Sequence, residues 1–233
     1  MNIRLATFAA LAALAALTGG SLVTAHAATS SSSYLLAEDL TDWSSSLDLI
    51  QFNPALGTLN SVTIALSATL AGSGGVENKQ SLQPGTFVVQ LDGNLKLDAA
   101  TAGALVSFSR SLVNQTVTLA KYDRITDMAG SSGAHWAYSV QGSQSRSFTD
   151  AVQLAAFTGT GTVNAALSAD AVSLIGGPSS RYANFDTTVS SRVTVSYDFT
   201  QAAVNAVPEP GTWALMAAGL GMVLMLAPRR RAD

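Results

Sequence analysis

The side chains able to do chemistry in this sequence are few. No cysteine occurs among the 233 residues, which excludes a thiolate nucleophile and a cysteine-ligated zinc. There are two histidines, His26 and His135. His135 stands in Gly133-Ala134-His135-Trp136 behind a Gly/Ser turn. No Gly-x-Ser-x-Gly elbow accompanies it, so it reads as a loop or strand-edge residue rather than a catalytic base. The segment Gly72-Ser73-Gly74-Gly75 lacks the lysine and the following helix of a phosphate-binding loop, and reads as a turn. Carboxylates that could in principle share acid and base work on a glycoside are Asp39 with Asp42, Asp92 with Asp98, and Asp123 with Asp127. Spacing alone favours solvated loop residues for all three pairs. Asp92, Asn94 and Asp98 could offer hard oxygens to calcium around a glycine turn, yet no acidic residue stands twelfth in that loop, and a charged hairpin tip is the simpler reading. Trp43, Tyr122, Trp136, Tyr138 and Tyr182 could present ring faces to a sugar; Trp136 and Tyr138 share a strand parity, but core packing is the favoured reading of both. No catalytic residue, metal or cofactor is assigned, and the chain is expected not to be an enzyme.

The two ends carry more specific patterns. Residues 1–27 read as a secretory signal peptide: Arg4 supplies the positive start and residues 5–17 are apolar but for Thr7. Ala25-His26-Ala27 is a small-x-small cleavage site. Signal peptidase, reading Ala25 and Ala27, would leave Ala28 as the first residue. At the other end, Pro208-Glu209-Pro210 precedes an apolar stretch, residues 213–227, and then Arg229, Arg230 and Arg231. Fifteen residues make roughly 22 Å of helix, against the 20 or so residues of a full span, and arginine stems can extend the reach by snorkelling. The basic cluster would hold its end on the cytoplasmic side, with the rest of the chain outside. This tail resembles the PEP-CTERM sorting signal, which has the same three parts in the same order at the terminus. The resemblance implies processing near Pro208, Glu209 and Pro210 by an exosortase, and a Gram-negative envelope, often one with exopolysaccharide or biofilm matrix.

Between the ends lies an acidic body. Of the 12 Lys and Arg, Arg4 and the three terminal arginines lie outside residues 28–228, leaving 8; of the 15 Asp and Glu, Asp233 does, leaving 14, for a net charge of −6. Such a charge disfavours nucleic acid and anionic membrane surfaces as partners, and is compatible with neutral sugars or divalent cations. Residues 28–33 are a Ser-rich lead-in, expected to be mobile. Beyond them, alternation of apolar and polar residues predicts strands. Val62, Ile64, Leu66, Ala68 and Leu70 share one parity, as do Phe87, Val89, Leu91, Leu95 and Leu97. Asp92-Gly93 is expected to make either a hairpin turn or a bulge inside the latter run. Val163, Ala165, Leu167, Ala169 and Ala171 alternate likewise, and Val189, Val193, Val195, Tyr197 and Phe199 do so with only Ser191 interrupting their apolar face. Short helices are plausible only at residues 99–105 and 150–156. The expected architecture is all-β, an antiparallel β-sandwich of eight to ten strands, with the signal helix and a C-terminal transmembrane helix outside it.

The run from Leu49 through Phe52-Asn53-Pro54-Ala55-Leu56-Gly57-Thr58-Leu59 leads straight into the strand Ser61-Val62-Thr63-Ile64. Physically it is a strand corner: Asn53-Pro54 favours a turn, Gly57 can take a positive φ, and Phe52, Leu56 and Leu59 can plug the sandwich end. It also resembles the choice-of-anchor E domain, with Asn53 where that family has Asp; residues 157–163 and 193–197 fit the same pattern. The resemblance covers residues 34–205, leaving 206–233 as the sorting signal, and implies a surface-anchored protein without naming a ligand. The expected function is therefore a structural or adhesive role at the cell surface or in the extracellular matrix after transient membrane anchoring. Exosortase and signal peptidase would be partners during export, the membrane before processing, and nucleic acid none. The alternative is a carbohydrate-binding module for exopolysaccharide; a polysaccharide hydrolase is more distant.

Overall fold

The computed structural model describes residues 26–202 and 210–226. Signal-peptide residue Ala25, sorting residues Pro208 and Glu209, and Arg229, Arg230 and Arg231 lie outside them; Ala27 and Pro210 lie inside. Residues 26–202 belong to one compact unit, against the 34–205 expected. Its strands are β1 (Ala27–Leu40), β2 (Trp43–Ile50), β3 (Gly57–Asn78), β4 (Gly85–Ala99), β5 (Gly103–Leu119), β6 (Gly133–Phe148), β7 (Thr162–Gly176) and β8 (Arg181–Gln201), with one short helix, α1 (Ala151–Ala156). They build two four-stranded sheets, β1-β8-β3-β6 and β2-β7-β4-β5, in which every strand pairing is antiparallel. Every connection except β4–β5 passes from one sheet to the other. The β-sandwich is thus as the alternation predicts.

The apolar parities face inward. Val62, Ile64, Leu66 and Leu70 of β3, the odd-numbered apolar residues of β4, Val163 to Ala169 of β7, and Val189 to Phe199 of β8 are buried, while their alternates are exposed or half-buried. The core falls into two clusters along the strands. The larger centres on Ile64, Leu97, Leu167 and Val195; the smaller holds Val76, Phe87, Leu91 and Tyr138. Phe52 plugs one end of the larger cluster, its ring 4.9 Å from Phe199 and 5.9 Å from Tyr197. Leu59 packs beside it, but Leu56 is 48% exposed and plugs nothing. The corner itself forms as the sequence suggests. Asn53 caps a 3-10 turn, Pro54–Leu56, by accepting the Ala55 N–H at 3.0 Å, and Gly57 takes φ +148°, where a Cβ would run into the Thr200 carbonyl.

Four local expectations are corrected. The Ser-rich lead-in is the first half of β1: Ala28 to Ser33 pair with Phe199 to Thr194, because the ladder needs backbone groups and Ser suits the wet face of an edge strand. Gly72 to Gly75 are not a turn but the middle of β3, paired on both sides. Asp186 and Asn184 carbonyls, the Phe185 side chain and Ala134 crowd the places where side chains would stand. No helix forms at residues 99–105; a tight turn delivers the chain to Gly103 at φ +72° and on into β5. Asp92-Gly93 makes no hairpin: β4 runs on, and the bulge sits opposite, where the register skips Leu112 of β5. The helix at 150–156 does form, with Asp150 as its N-cap.

A second helix, α2 (Pro210–Leu226), belongs to a separate compact unit. Its 17 residues span about 26 Å at 1.5 Å per residue, a little short of the roughly 30 Å hydrocarbon layer. No helix among the described residues is long and apolar enough to cross a membrane.

Candidate functional site

One depression in the sandwich lies where a row of small residues crosses the first sheet. Leu36 of β1, Ser191 of β8, Ala68 of β3 and Gly142 of β6 stand side by side across the first sheet. Around this row lies a groove of about 550 Å³, although Ala68 and Ser191 are themselves buried, on the same parity as the core residues Leu66 and Val193. Immediately beyond, β1 bulges, with Ala37 and Glu38 set against Ser190 alone. Three inter-strand spacings make the groove about 14 Å long. Ser67, Thr69, Ser143 and Ser190 line it with hydroxyls and Gln141 with an amide. Two arginines complete it: Arg192 from β8 and Arg110 from β5, where β5 meets the β6 edge.

Those arginines are held differently. Arg110 lies 5.3 Å over the Phe108 ring and donates to its neighbour Ser109 O at 2.9 Å; a Cβ on Gly142 would press on its Nε at 2.9 Å. Only glycine at 142 leaves Arg110 its place. Arg192 is exposed and has no hydrogen-bond or ion-pair partner among the described residues. A second depression of about 210 Å³ continues along the same strand. The first uses Gln141, Gly142 and Ser143, the second Gln144, Ser145 and Arg146, together with Lys96 of β4. Arg146 donates to Ala104 O at 3.0 Å and lies 4.9 Å over Phe148; Lys96 pairs with Asp98 at 2.7 Å. No Asp or Glu lines either depression. Four of the 8 basic side chains of residues 28–228 are therefore gathered along β6 and its neighbours, in a stretch whose net charge is −6.

The residues singled out in the sequence are elsewhere. His135 is exposed on β6, an edge strand, opposite Gly75, as the strand-edge reading has it. Asp92, Asn94 and Asp98 lie along one face of β4 rather than around a hairpin tip; Asn94 donates to Asp170 at 2.8 Å and Asp98 takes Lys96. Asp123 and Asp127 close local turns by accepting the Ile125 and Ala129 N–H groups, and Asp39 accepts from Leu40. Among the described residues no three acidic or histidine side chains are placed to hold a metal ion. Tyr138 is core: its hydroxyl bonds Thr187 at 2.8 Å and donates to Asp186 O, and burial raises its pKa. Trp136 stacks 6.4 Å from Phe185, so the two form no exposed platform. Tyr122 lies beneath the Lys79 ammonium, which donates to its hydroxyl at 2.6 Å and, with Thr126, lowers its pKa. None of these aromatics lines the groove.

Sequence inspection missed the groove because its parts are 36, 68, 142 and 191, joined only by strand register. The interruption at Ser191 was the one visible sign: it is buried, and its hydroxyl has no partner among the described residues.

No family model matches the sequence, and no curated protein does. Two solved structures of VP2 particles of infectious bursal disease virus share 10% and 11% sequence identity with this chain. Each alignment covers 84% of this chain and 48% of the viral one, with TM-scores of 0.21 and 0.17. The chain thus spans about half the length of those capsid proteins.

Proposed function

We propose that the chain is an exported surface or matrix protein, processed at or near Pro208-Glu209-Pro210, with a structural or adhesive rather than catalytic role. The observation that carries this reading is the terminal order of parts: a Pro-Glu-Pro motif, an apolar helix from Pro210, then Arg229-Arg230-Arg231. On its own the 17-residue helix is too short to cross a membrane, so transient retention on this reading also needs the residues that follow it, with local thinning and snorkelling of Arg229, Arg230 and Arg231. The body supports the same reading. It is a self-contained sandwich needing no disulfide and ending at Gln201, so cleavage near Pro208 would leave every strand intact. Exosortase and signal peptidase act on it during export, and nucleic acid is no partner. Replacing Pro208, Glu209 and Pro210 by alanine leaves full-length, membrane-retained protein on this account; unchanged processing refutes it.

The carbohydrate-binding alternative is favoured by one observation, the hydroxyl-lined groove across the first sheet.

A further inference from the structure

We propose that the groove across β1, β8, β3 and β6, with the smaller depression beyond it, binds an acidic polysaccharide through carboxylates on its sugar rings. Charge carries the inference. In a body of 8 basic and 14 acidic residues, Arg110, Arg192, Arg146 and Lys96 line two adjoining depressions and no carboxylate does. Evenly distributed, the acids would neutralise such a cluster; β6 has none, and on β4 Asp98 pairs with Lys96 while Asp92 lines neither depression. Arg192 offers its guanidinium unpaired, and that planar fork matches a carboxylate with two parallel hydrogen bonds.

The form of the site narrows the ligand. Consecutive β6 residues line the two depressions, Gln141 to Ser143 the first and Gln144 to Arg146 the second, so two cationic sites succeed one another rather than meeting at a point, as a polymer with repeated anionic groups requires. Between them stand hydroxyls and amides, Ser67, Thr69, Ser143, Gln141 and Gln144, which suit sugar hydroxyls. No tryptophan or tyrosine lines either depression, so a neutral sugar face has nothing to stack on. The body's net charge of −6 repels polyanions at long range, which restricts binding to ligands that reach this line closely. The inference deepens the carbohydrate-binding alternative and uses the export reading only to place the ligand outside the cell.

The test is isothermal titration of the full chain, purified in detergent, with polygalacturonate, dextran and duplex DNA. Polygalacturonate binds, dextran does not, and DNA binds distinctly more weakly. Arg110→Gln with Arg192→Gln weakens polygalacturonate about tenfold or more, or 1.4 kcal/mol, while Arg181→Gln, outside both depressions, leaves it unchanged. Because Arg110 also packs on Phe108, Arg192→Gln alone is measured beside the pair, with circular dichroism to show that each variant is folded. Absence of polygalacturonate binding, equal binding of dextran or DNA, or folded arginine variants that bind as the parent does would each overturn the proposal. Binding by the purified chain is independent of processing at the Pro-Glu-Pro motif, so either reading can fail alone.

Discussion

Individual side chains show where this sandwich is under tension. Tyr197 sits in the larger core against Phe52 and reaches the Ile50 carbonyl with its hydroxyl at 2.6 Å; burial raises its pKa well above the ordinary tyrosine value. A phenol kept protonated in the folded state, but free to ionise when unfolded, contributes stability that is fully present below about pH 10 and declines above it. Unfolding free energy should therefore fall as pH rises past about 10, and Tyr197→Phe should flatten that fall while costing about 1 kcal/mol at neutral pH for the lost hydrogen bond. Urea titrations of both proteins at pH 7 and through pH 9–11 check this. Glu77 is a different case. It is fully buried in β3, on the face where Met128 lies against Gly75 and the Met128–Ala129 backbone against Gly133. Neither carboxylate oxygen has a partner among the described residues. An unpaired buried charge costs more than an unpaired amide of the same shape. Glu77→Gln should raise stability by roughly 1 kcal/mol or more, read as a higher urea midpoint at unchanged m-value. A loss of stability would mean that the carboxylate is engaged in the native protein.

At the scale of elements, the least obvious member is β1. Its first half is Ala-Ala-Thr-Ser-Ser-Ser-Ser, yet it pairs residue by residue with β8, and Ala28 packs on the larger core. Cleavage after Ala27 would leave that strand whole from its second residue. Deleting residues 28–33 should lower stability by roughly 2–4 kcal/mol, at about 1 kcal/mol per ladder hydrogen bond, whereas a mobile leader could be removed without effect; denaturant unfolding of the shortened chain decides. The contrast shows what could be read beforehand. Strands buried on one face announce themselves by alternation, as Val62 to Leu70, Phe87 to Leu97, Val163 to Ala169 and Val189 to Phe199 do. The short helix expected at residues 150–156 also forms, with Asp150 as its N-cap in the structure. Edge strands do not announce themselves, because fewer of their side chains meet the core; β1, β5 and β6 are edges. Nor do long strands show their length when glycines interrupt the pattern: Gly72 to Gly75 look like a turn because the neighbouring carbonyls and side chains that require glycine come from β6 and β8, over a hundred positions away in some cases. The groove is the extreme instance. Leu36, Ala68, Gly142 and Ser191 become neighbours only once four strands are in register, and Arg110 joins them from the opposite sheet.

At the scale of the whole molecule, the chain separates into a folded body and a second unit that contains α2. Both core clusters belong to the same long strands, β3, β4 and β8 running through or alongside each, so the body is one structural unit despite its divided interior. Net charge describes that body poorly: it is acidic overall, but four of its 8 basic side chains line two adjoining depressions. The terminal segment starts a new unit, and α2 begins at Pro210, the last residue of the Pro-Glu-Pro motif, where proline's missing N–H costs nothing. Export followed by cleavage at that junction is the central claim, and the intact mass of the protein recovered from its native cell surface or medium tests it most directly. The account predicts a polypeptide that begins at Ala28 and ends at or near Pro208-Glu209-Pro210, lacking Arg229, Arg230 and Arg231. A mass corresponding to Met1 through Asp233, both ends uncut, would contradict it.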